Sequence, residues 1–374
     1  MTRFFRRINK YIPKISIFFL ILGIIAVPVH IASIFSTAFA DFWSDNISSH
    51  LRTIMAHLTA FIPFSLAEFI VIASPIIVVC VIVVAVRKSE RGNRYLIRCI
   101  AGILSVLALL YSVFVFNFGV SYRTTSLDKR LGIERTKVSG EDLYNTISIT
   151  IDNLNALADE VIFVENKGSV RPYSHDETVR LCTESYDKLA KEYGFIKNLN
   201  APVKQIMLSD YMTYTHISGV YTFFTGEANL NTNYPYFVNV YTIAHEMAHQ
   251  RGIARENEAN FIAYLVCITS DDPYMQYAGY LNMYEYLISP LYQASPKLYT
   301  KASRALDVRV RYDLSCYSDF FDKYRDNAAA DVSDAVNNTY LVLQGSSEGS
   351  KSYGMVVDLA VAYHRPEFSS DSEQ

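Results

Sequence analysis

The chain has 374 residues, 51% of them hydrophobic, and a formal net charge of −3. This balance lacks the basic excess by which nucleic-acid-binding proteins neutralise phosphates, so we expect no nucleic-acid partner. The length would allow one large domain or two, but the apolar residues are concentrated before residue 120. We therefore expect a membrane anchor over residues 1–120 followed by a soluble domain.

Three apolar runs in the anchor are long enough to cross a bilayer. They cover residues 15–34, 62–86 and 100–120, and Glu68, near the start of the second run, is their only charged side chain. The pattern predicts three transmembrane helices in a lipid bilayer, with Glu68 at the membrane interface. A small-x-small site over residues 37–40 makes a cleaved signal peptide the alternative for the first run. The run exceeds the usual length of a signal-peptide core, which favours an uncleaved helix.

Basic residues near the ends of the spans predict the orientation of the anchor. The N-terminal flank and the loop after the second span are both basic, through Arg3, Arg6, Arg7, Lys10 and Lys14 and through Arg87, Lys88, Arg91, Arg94 and Arg98. The loop between the first two spans has only Arg52. A basic cluster after the third span opposes this pattern, through Arg123, Lys129, Arg130, Arg135 and Lys137. Because large translocated domains follow the charge rule weakly, we predict a multi-pass protein of the cell membrane with a cytoplasmic N-terminus and an extracytoplasmic C-terminal domain.

From residue 121 to 365 the chain is predicted to form one mainly helical (α+β) domain, large enough for its own core. Hydrophobic periodicity and turn residues predict its elements. Before residue 235 these are a helix over 141–164, a helix opened by Ser174 and running to about 193, a strand over 203–208, and a hairpin over 220–232 with its turn near Thr225–Gly226. After residue 268 they are helices over 273–288, 296–314, 318–343 and 353–363, followed by a disordered tail over 366–374.

The five cysteines do not form a disulfide framework. Cys80 and Cys99 lie in or beside the spans, which leaves an odd number in the outer domain. Cys182, Cys267 and Cys316 fall on apolar faces, so we expect buried free thiols, with a bridge between Cys267 and Cys316 as the alternative.

The pattern His-Glu-x-x-His, formed by His245, Glu246 and His249, predicts a metal site. On a helix, residues four apart lie about 40° apart around the axis and one turn along it, so both imidazoles project from one face towards a single ion. Glu246 lies about 100° further round, where it could take a proton from an attacking water. This is the arrangement of a zinc hydrolase. The alternative is a chance match, with both histidines on the polar face of an amphipathic helix.

Catalytic zinc takes a third protein ligand and keeps one position open. Gly252 suits the left-handed turn that ends the motif helix, and a second helix beginning near Arg255 offers Glu256 and Glu258. These two lie about 200° apart on a helix, so they cannot both face the metal. Small residues continue the Glu256 side and bulky ones the Glu258 side, so we expect Glu256 as third ligand, with Glu258 as the fallback. Asn260, one turn after Glu256, could hydrogen-bond a ligand.

These residues carry two resemblances. Glu-x-x-Ala followed by an acidic or amide residue, after His-Glu-x-x-His, is similar to the glutamate-zincin peptidases. More closely, HEMAHQRGIARENEANFIAYL, the upstream FFTGEANLNTN and the final SYGMVVDLAVAY resemble the bacterial membrane family called domain of unknown function 3810. That resemblance covers most of the chain, including its apolar N-terminal part.

The likeness to zincins implies a zincin-like fold for the extracytoplasmic domain. It implies Zn²⁺ bound by His245, His249 and Glu256, with Glu246 as general base. The sequence departs from many zincins in having Asn260 instead of aspartate and in the short gap between His249 and Glu256.

The likeness also implies a role for the strand before the motif helix. In zincins that strand lies along the cleft edge and pairs with an extended peptide. Here it would begin with Glu227, Ala228 and Asn229 and run to Thr232. A solvent-exposed edge strand without a substrate is the alternative.

The expected function is therefore that of a membrane-anchored zinc metallopeptidase that hydrolyses a peptide or protein substrate outside the cytoplasmic membrane. His245 lies outside any span, which argues against proteolysis within the bilayer. His216, Tyr241 and Tyr353 are candidates to stabilise the oxyanion. Two other functions remain as alternatives: a non-catalytic zinc-binding sensor or interaction protein that needs a membrane-protein partner, and a zinc hydrolase of non-protein envelope material.

Overall fold

The structure, a computed structural model, describes residues 11–89, 94–165, 168–170, 173–344 and 355–370. These residues are mainly helical. The chain divides into two compact units, one of Met1–Thr124 with Thr222–Glu227 and one of Thr125–Tyr221 with Ala228–Gln374. The sequence predicted a boundary near residue 120 but gave no sign that six residues from the middle of the chain belong to the first unit.

The first unit contains three apolar helices of membrane-spanning length, as predicted. They are α1 (Lys14–Phe35), α4 (Leu66–Ser89) and α5 (Arg94–Asn117); between the first two lie α2 (Thr37–Trp43), a π-helical turn (Ser44–Ser48) and α3 (Ser49–Ala60). The second apolar helix begins four residues later than the predicted span, because residues 61–65 form a turn and the Ser65 hydroxyl accepts a hydrogen bond from the Glu68 N–H. The third begins and ends earlier, since Gly119–Arg123 form a 3₁₀ turn.

Helices α1 and α5 pack against each other through small residues. A Cβ atom added at Gly23 would lie only 2.9 Å from the Cβ of Ala108, which shows how closely the backbones approach. His30 Nδ1 and the Tyr111 hydroxyl form a hydrogen bond of 3.0 Å between the same helices. Close packing and a polar bridge thus join the first and third apolar helices.

The second unit is built of helices around one apolar core. Its helices are α6 (Leu127–Leu131), α7 (Gly140–Leu157), α8 (His175–Glu192), α9 (Ser209–Met212), α10 (Tyr236–Arg251), α11 (Glu256–Ile268), α12 (Pro273–Ala294), α13 (Pro296–Ala305), α14 (Val308–Asp322), α15 (Ala328–Leu343) and α16 (Met355–Ser370). Helices α10, α11 and α12 pack on one another, and α7 packs on α12. The buried face of α7 is the predicted one, with Ile147, Ile151 and Leu154 in the core.

Several predicted helix ends are wrong, and capping side chains explain two of the new helix starts. The helix predicted over 141–164 ends at Leu157, and its last two residues form β1 (Phe163–Val164), antiparallel to β2 (Gly168–Ser169). The helix predicted over 296–314 is two helices, since Asp307 caps α14 by accepting from the Arg309 N–H. The helix predicted over 318–343 is interrupted: residues 318–322 form the end of α14, and α15 begins at Ala328, after the cap Asn327.

The C-terminal prediction is also corrected. Helix α16 continues to Ser370, past the predicted start of a tail at residue 366, with Pro366 inside it. Tyr353 and residues 371–374 lie outside the described residues.

A small sheet holds β3 (Val203–Gln205), β4 (Gly219–Thr222) and β5 (Glu227–Leu230) in the order β3-β5-β4. The predicted hairpin is present as β4 and β5, and Gly226 in its turn has a φ of 73°. The predicted edge strand is wrong: β5, which begins with Glu227, Ala228 and Asn229, lies between two strands and is buried. β3 runs parallel to it, with Val203 opposite Ala228. Among the described strands of this sheet, β3 and β4 therefore form the two edges, one on each side of β5.

All five cysteines lie in the described residues and are free thiols, so Cys267 and Cys316 form no bridge. Cys182 and Cys267 are buried, as expected. Burial raises the pKa of the Cys182 thiol to about 12. These thiols are therefore protonated core residues.

We predict that the Glu285→Gln variant tolerates alkaline pH better than the wild type. Burial raises the pKa of Glu285 from 4.5 to about 7, and the charge of Asp313 adds to the effect. Because the folded-state pKa is the higher one, the stability from the protonated carboxyl is complete below about pH 4.5 and is lost as pH rises through about 7. The melting temperature of the wild type in detergent should fall between about pH 5 and about pH 8, and Glu285→Gln should recover about 3 °C of that fall, or about 1 kcal/mol.

The exposed Glu184 provides the control, and Glu184→Gln should keep the pH profile of the wild type. An unchanged profile in Glu285→Gln would show that this carboxyl does not titrate between those pH values.

Candidate metal centre

The motif helix α10 is buried along nearly its whole length, which fixes its side chains in place. Its last residue, Arg251, donates to the carbonyl oxygens of Met247 (3.2 Å) and Leu199 (2.6 Å), and its guanidinium lies 3.9 Å from the ring centroid of Tyr186. The site is thus carried on a rigid element rather than on a loop.

Gly252 ends α10 and turns the chain back, as predicted. Its φ of 97° is left-handed, and the Ile253 N–H donates to the Ala248 carbonyl at 3.1 Å. The chain then reaches Glu256, the first residue of α11, after three further residues. This short reversal brings the first turn of α11 beside the last two turns of α10.

The reversal brings together His245, His249 and Glu256. His245 Nε2 lies 3.3 Å from Glu256 Oε2, and His249 Nε2 lies 3.5 Å from Glu256 Oε1. One donor atom from each residue lies within 4.8 Å of the other two. The two imidazole rings are nearly perpendicular, at 89°, and their centroids are 4.6 Å apart.

This donor set fits zinc. Two imidazole nitrogens and a carboxylate oxygen are zinc ligands in hydrolases, and donors about 2.0–2.1 Å from a tetrahedral ion lie about 3.3 Å apart, close to the distances found here. The side chains of His245, His249 and Glu256 keep 13%, 8% and 18% of their surface exposed, so solvent reaches the cluster. An open position for water or substrate is consistent with that exposure.

The ring of His249 is oriented by the backbone. Its Nδ1 forms a hydrogen bond of 2.7 Å with the Ile253 carbonyl, which requires a proton on Nδ1 and directs Nε2 to the cluster. His245 has no such support, because its buried Nδ1 has no hydrogen-bond partner among the described residues.

The charges of the cluster stabilise one another. Burial alone would raise the pKa of Glu256, but the adjacent charge of His249 and hydrogen bonds from both histidines hold it well below its usual range. Burial alone would lower the pKa of His249, but the Glu256 carboxylate raises it to about 9. The carboxylate is therefore ionised and complements positive charge at this position.

Glu246 is buried beside the cluster. Burial raises its pKa, against the opposing charges of His245 and His249. The Tyr221 N–H donates to the carboxylate, whereas Oε2 has no hydrogen-bond partner among the described residues. A desolvated carboxylate with a free oxygen is suited to accept a proton.

The fallback ligand Glu258 lies elsewhere and has a different role. Its Oε1 accepts from the Leu127 N–H at 3.0 Å, at the start of α6, and from Arg255 Nη1 at 2.7 Å. Glu258 thus caps a helix and pairs with a cation. The structure places Glu256, and not Glu258, with the histidines.

The structure shows no hydrogen bond from Asn260 to a site residue. Asn260 is buried on α11, and its side-chain Nδ2 has no partner among the described residues. Its carbonyl accepts from the Tyr241 hydroxyl at 2.6 Å, so this hydroxyl, one of the three oxyanion candidates, is already engaged. A second candidate, His216, contacts the Tyr324 carbonyl through Nε2 at 2.6 Å.

Sequence reasoning missed the contribution of β4. Gly219 lies so close to the motif helix that an added Cβ would be 2.7 Å from the Cγ and Oε1 of Glu246 and 2.6 Å from the Cγ2 of Thr242. Together with the Tyr221 N–H, this makes β4 the strand that contacts the candidate base. A glycine in the hairpin was a visible signal, but its partner lies 27 residues away in sequence.

Fold and site together define a mainly helical protein with three apolar helices of membrane-spanning length and a cluster of two histidines and a glutamate. Residues 43–361 match the family described as "Protein of unknown function (DUF3810)", and the chain belongs to this family. The match includes two of the three apolar helices and the whole cluster, and it confirms the resemblance to that family noted in the sequence. The chain matches no curated protein and no solved structure.

We predict that the full-length protein binds one zinc ion and that the Glu256→Ala variant does not. The matched control is Glu258→Ala, two residues away, which should keep zinc but unfold at a lower temperature because α6 loses its cap. Metal analysis and competition with a chelator of known affinity measure binding, and thermal unfolding measures stability. Loss of zinc in Glu258→Ala with retention in Glu256→Ala would reverse the ligand assignment.

Proposed function

We propose that this protein is a membrane-anchored zinc peptidase. The observation that supports it is the convergence of His245, His249 and Glu256 beside the buried Glu246, whose Oε2 has no hydrogen-bond partner in the described part of the chain. Two imidazoles and a carboxylate suffice for zinc with one position left open. A purely structural zinc site would be closed by a fourth protein ligand and would need no carboxylate base at its side.

Each residue has a defined task in this proposal. His245, His249 and Glu256 hold the metal, and the Ile253 carbonyl fixes the orientation of the His249 ring by a hydrogen bond to its Nδ1. Bound zinc would polarise the scissile carbonyl and activate water as a nucleophile near neutral pH. Glu246 accepts the proton as that water attacks and passes it to the leaving amine. Burial raises the pKa of Glu246, which favours the first of these transfers, the uptake of the proton from water.

The substrate in this proposal is an extended peptide that pairs with β4. β4 is the edge strand beside Glu246. Because Gly219 has no side chain, the strand can lie directly against the Glu246 side chain there. A strand edge offers backbone donors and acceptors to an added peptide, so recognition would be largely independent of side chains. This role replaces the one that the sequence predicted for β5.

The second unit lies outside the cytoplasmic membrane in this proposal. The distribution of lysine and arginine around the apolar helices supports that orientation. Substrates would then be peptides or proteins of the cell envelope.

We predict that Glu246→Gln abolishes peptide hydrolysis without loss of zinc. The amide cannot accept the proton, so turnover should fall at least about a hundredfold. Cleavage of a peptide library by the full-length protein in detergent measures activity, and metal analysis of the same sample provides the control. Full hydrolysis by Glu246→Gln would exclude this residue as the base. A cellular role that survives Glu246→Gln but needs His245 and His249 would instead indicate a non-catalytic zinc protein.

We predict that a protease added to spheroplasts removes an epitope tag placed at the C-terminus and spares one placed at the N-terminus. Lysed cells are the control, since both tags should be lost there. Protection of the C-terminal tag in intact spheroplasts would place the second unit in the cytoplasm.

A further inference from the structure

The turn of the β4–β5 hairpin belongs to the first unit, together with the apolar helices. An added Cβ at Gly226 would lie 2.8 Å from the Cβ of Met55 and 3.0 Å from the backbone nitrogen of Ala56. The Thr59 hydroxyl donates to the Thr225 carbonyl at 3.4 Å. The turn is thus packed against α3, in the segment between the first two spans.

The side chain of Glu227 attaches the turn to the second span. Its two carboxylate oxygens accept hydrogen bonds from the N–H groups of Leu66 (3.2 Å) and Ala67 (2.9 Å), the first two residues of α4. Glu227 is only 1% exposed. The start of a helix presents unpaired N–H groups and a partial positive charge, so a buried carboxylate there is strongly held.

The end of the third span holds the other side of the turn. Asn117, the last residue of α5, donates through Nδ2 to the Phe223 carbonyl at 2.7 Å. The ring of Phe223 meets Phe114 of the same helix edge to face, with centroids 5.2 Å apart. The ends of two spans therefore fix the backbone of the turn.

The hairpin closes directly on this turn. The Gly226 N–H donates to the Thr222 carbonyl at 2.7 Å, and the Thr222 hydroxyl donates to the Glu227 carbonyl at 3.3 Å. The residue before Thr222 is Tyr221, whose N–H donates to Glu246. Thr222, the first residue of the clamped turn, is thus bonded directly to Tyr221, whose N–H contacts the candidate base Glu246.

We propose that Glu227 is a positioning residue through which the membrane spans set β4, and with it the base Glu246. The catalytic consequence rests on the proposed function, whereas the clamp on the hairpin does not. The metal ligands belong to α10 and α11, outside the hairpin, so the clamp acts on the base and leaves the affinity for zinc unchanged. The spans are then part of the working enzyme and more than an anchor.

The test uses the full-length protein in nanodiscs and the variant Glu227→Gln. An amide can accept from only one of the two N–H groups, because its NH₂ is itself a donor and would face the other. Hydrogen–deuterium exchange followed by mass spectrometry should show exchange at residues 219–222 at least about tenfold faster than in the wild type. Zinc content should stay at one per chain.

Two further variants keep the test decisive. Asn117→Ala removes a single hydrogen bond at the other side of the turn and should accelerate exchange over the same residues. Glu141→Gln removes an exposed carboxylate from the first turn of α7 and should change nothing there. Wild-type exchange over 219–222 in both Glu227→Gln and Asn117→Ala would overturn the proposal.

Activity provides the second readout. In Glu227→Gln we expect kcat for a library peptide to fall at least about tenfold while zinc affinity is retained, since a misplaced base impairs the chemical step. Unchanged kcat despite faster exchange would show that the clamp does not position the base, and would also overturn the proposal. If the wild-type protein cleaves no peptide, the proposed function fails, but the exchange measurement still decides whether the spans hold the hairpin.

Discussion

The candidate site depends on the reversal of the chain at Gly252. Its backbone is left-handed, with a φ of 97°, and ends α10 three residues after His249. The reversal places the Ile253 carbonyl on Nδ1 of His249 and, three residues later, Glu256 opposite both imidazoles. A residue with a Cβ atom strains at this φ, so a change here would disturb the orientation of a ligand and the arrival of another together.

Burial gives the neighbouring carboxylates different chemistry. Glu256 sits between two imidazoles and stays ionised, whereas Glu246, one residue from His245, has a raised pKa and an oxygen that no described residue contacts by a hydrogen bond. Glu258 accepts hydrogen bonds from the Leu127 N–H and from the Arg255 guanidinium, away from the histidines. Three carboxylates within one short stretch of chain thus divide into a candidate ligand, a candidate base and a helix cap, according to what surrounds each of them.

Local patterns in the sequence predicted the local features well. Apolar runs predicted the three long helices, periodicity predicted the buried face of α7, and the hairpin and the left-handed Gly252 were both anticipated. The choice of Glu256 over Glu258 followed from helix geometry, and the structure groups the residues in the same way.

Features that depend on distant partners were missed. The order of strands in a sheet cannot be read from the sequence of any one strand. We therefore predicted β5 to be an edge strand, although β3 and β4 flank it. Glu227 was assigned to the substrate, yet its partners at the start of α4 precede it by about 160 residues. The contact of Gly219 with Glu246 is likewise tertiary. Some predicted helix starts were wrong because a single capping residue, such as Asn327, decides where the helix begins.

We propose that His245, His249 and Glu256 hold one zinc ion and leave a position open. X-ray absorption at the zinc edge of the full-length protein tests this most directly. We expect a first shell of nitrogen and oxygen only, at about 2.0–2.2 Å, with two imidazoles, a carboxylate and one exchangeable oxygen. A shell containing sulfur at about 2.3 Å, or four protein ligands with no exchangeable oxygen, would contradict it.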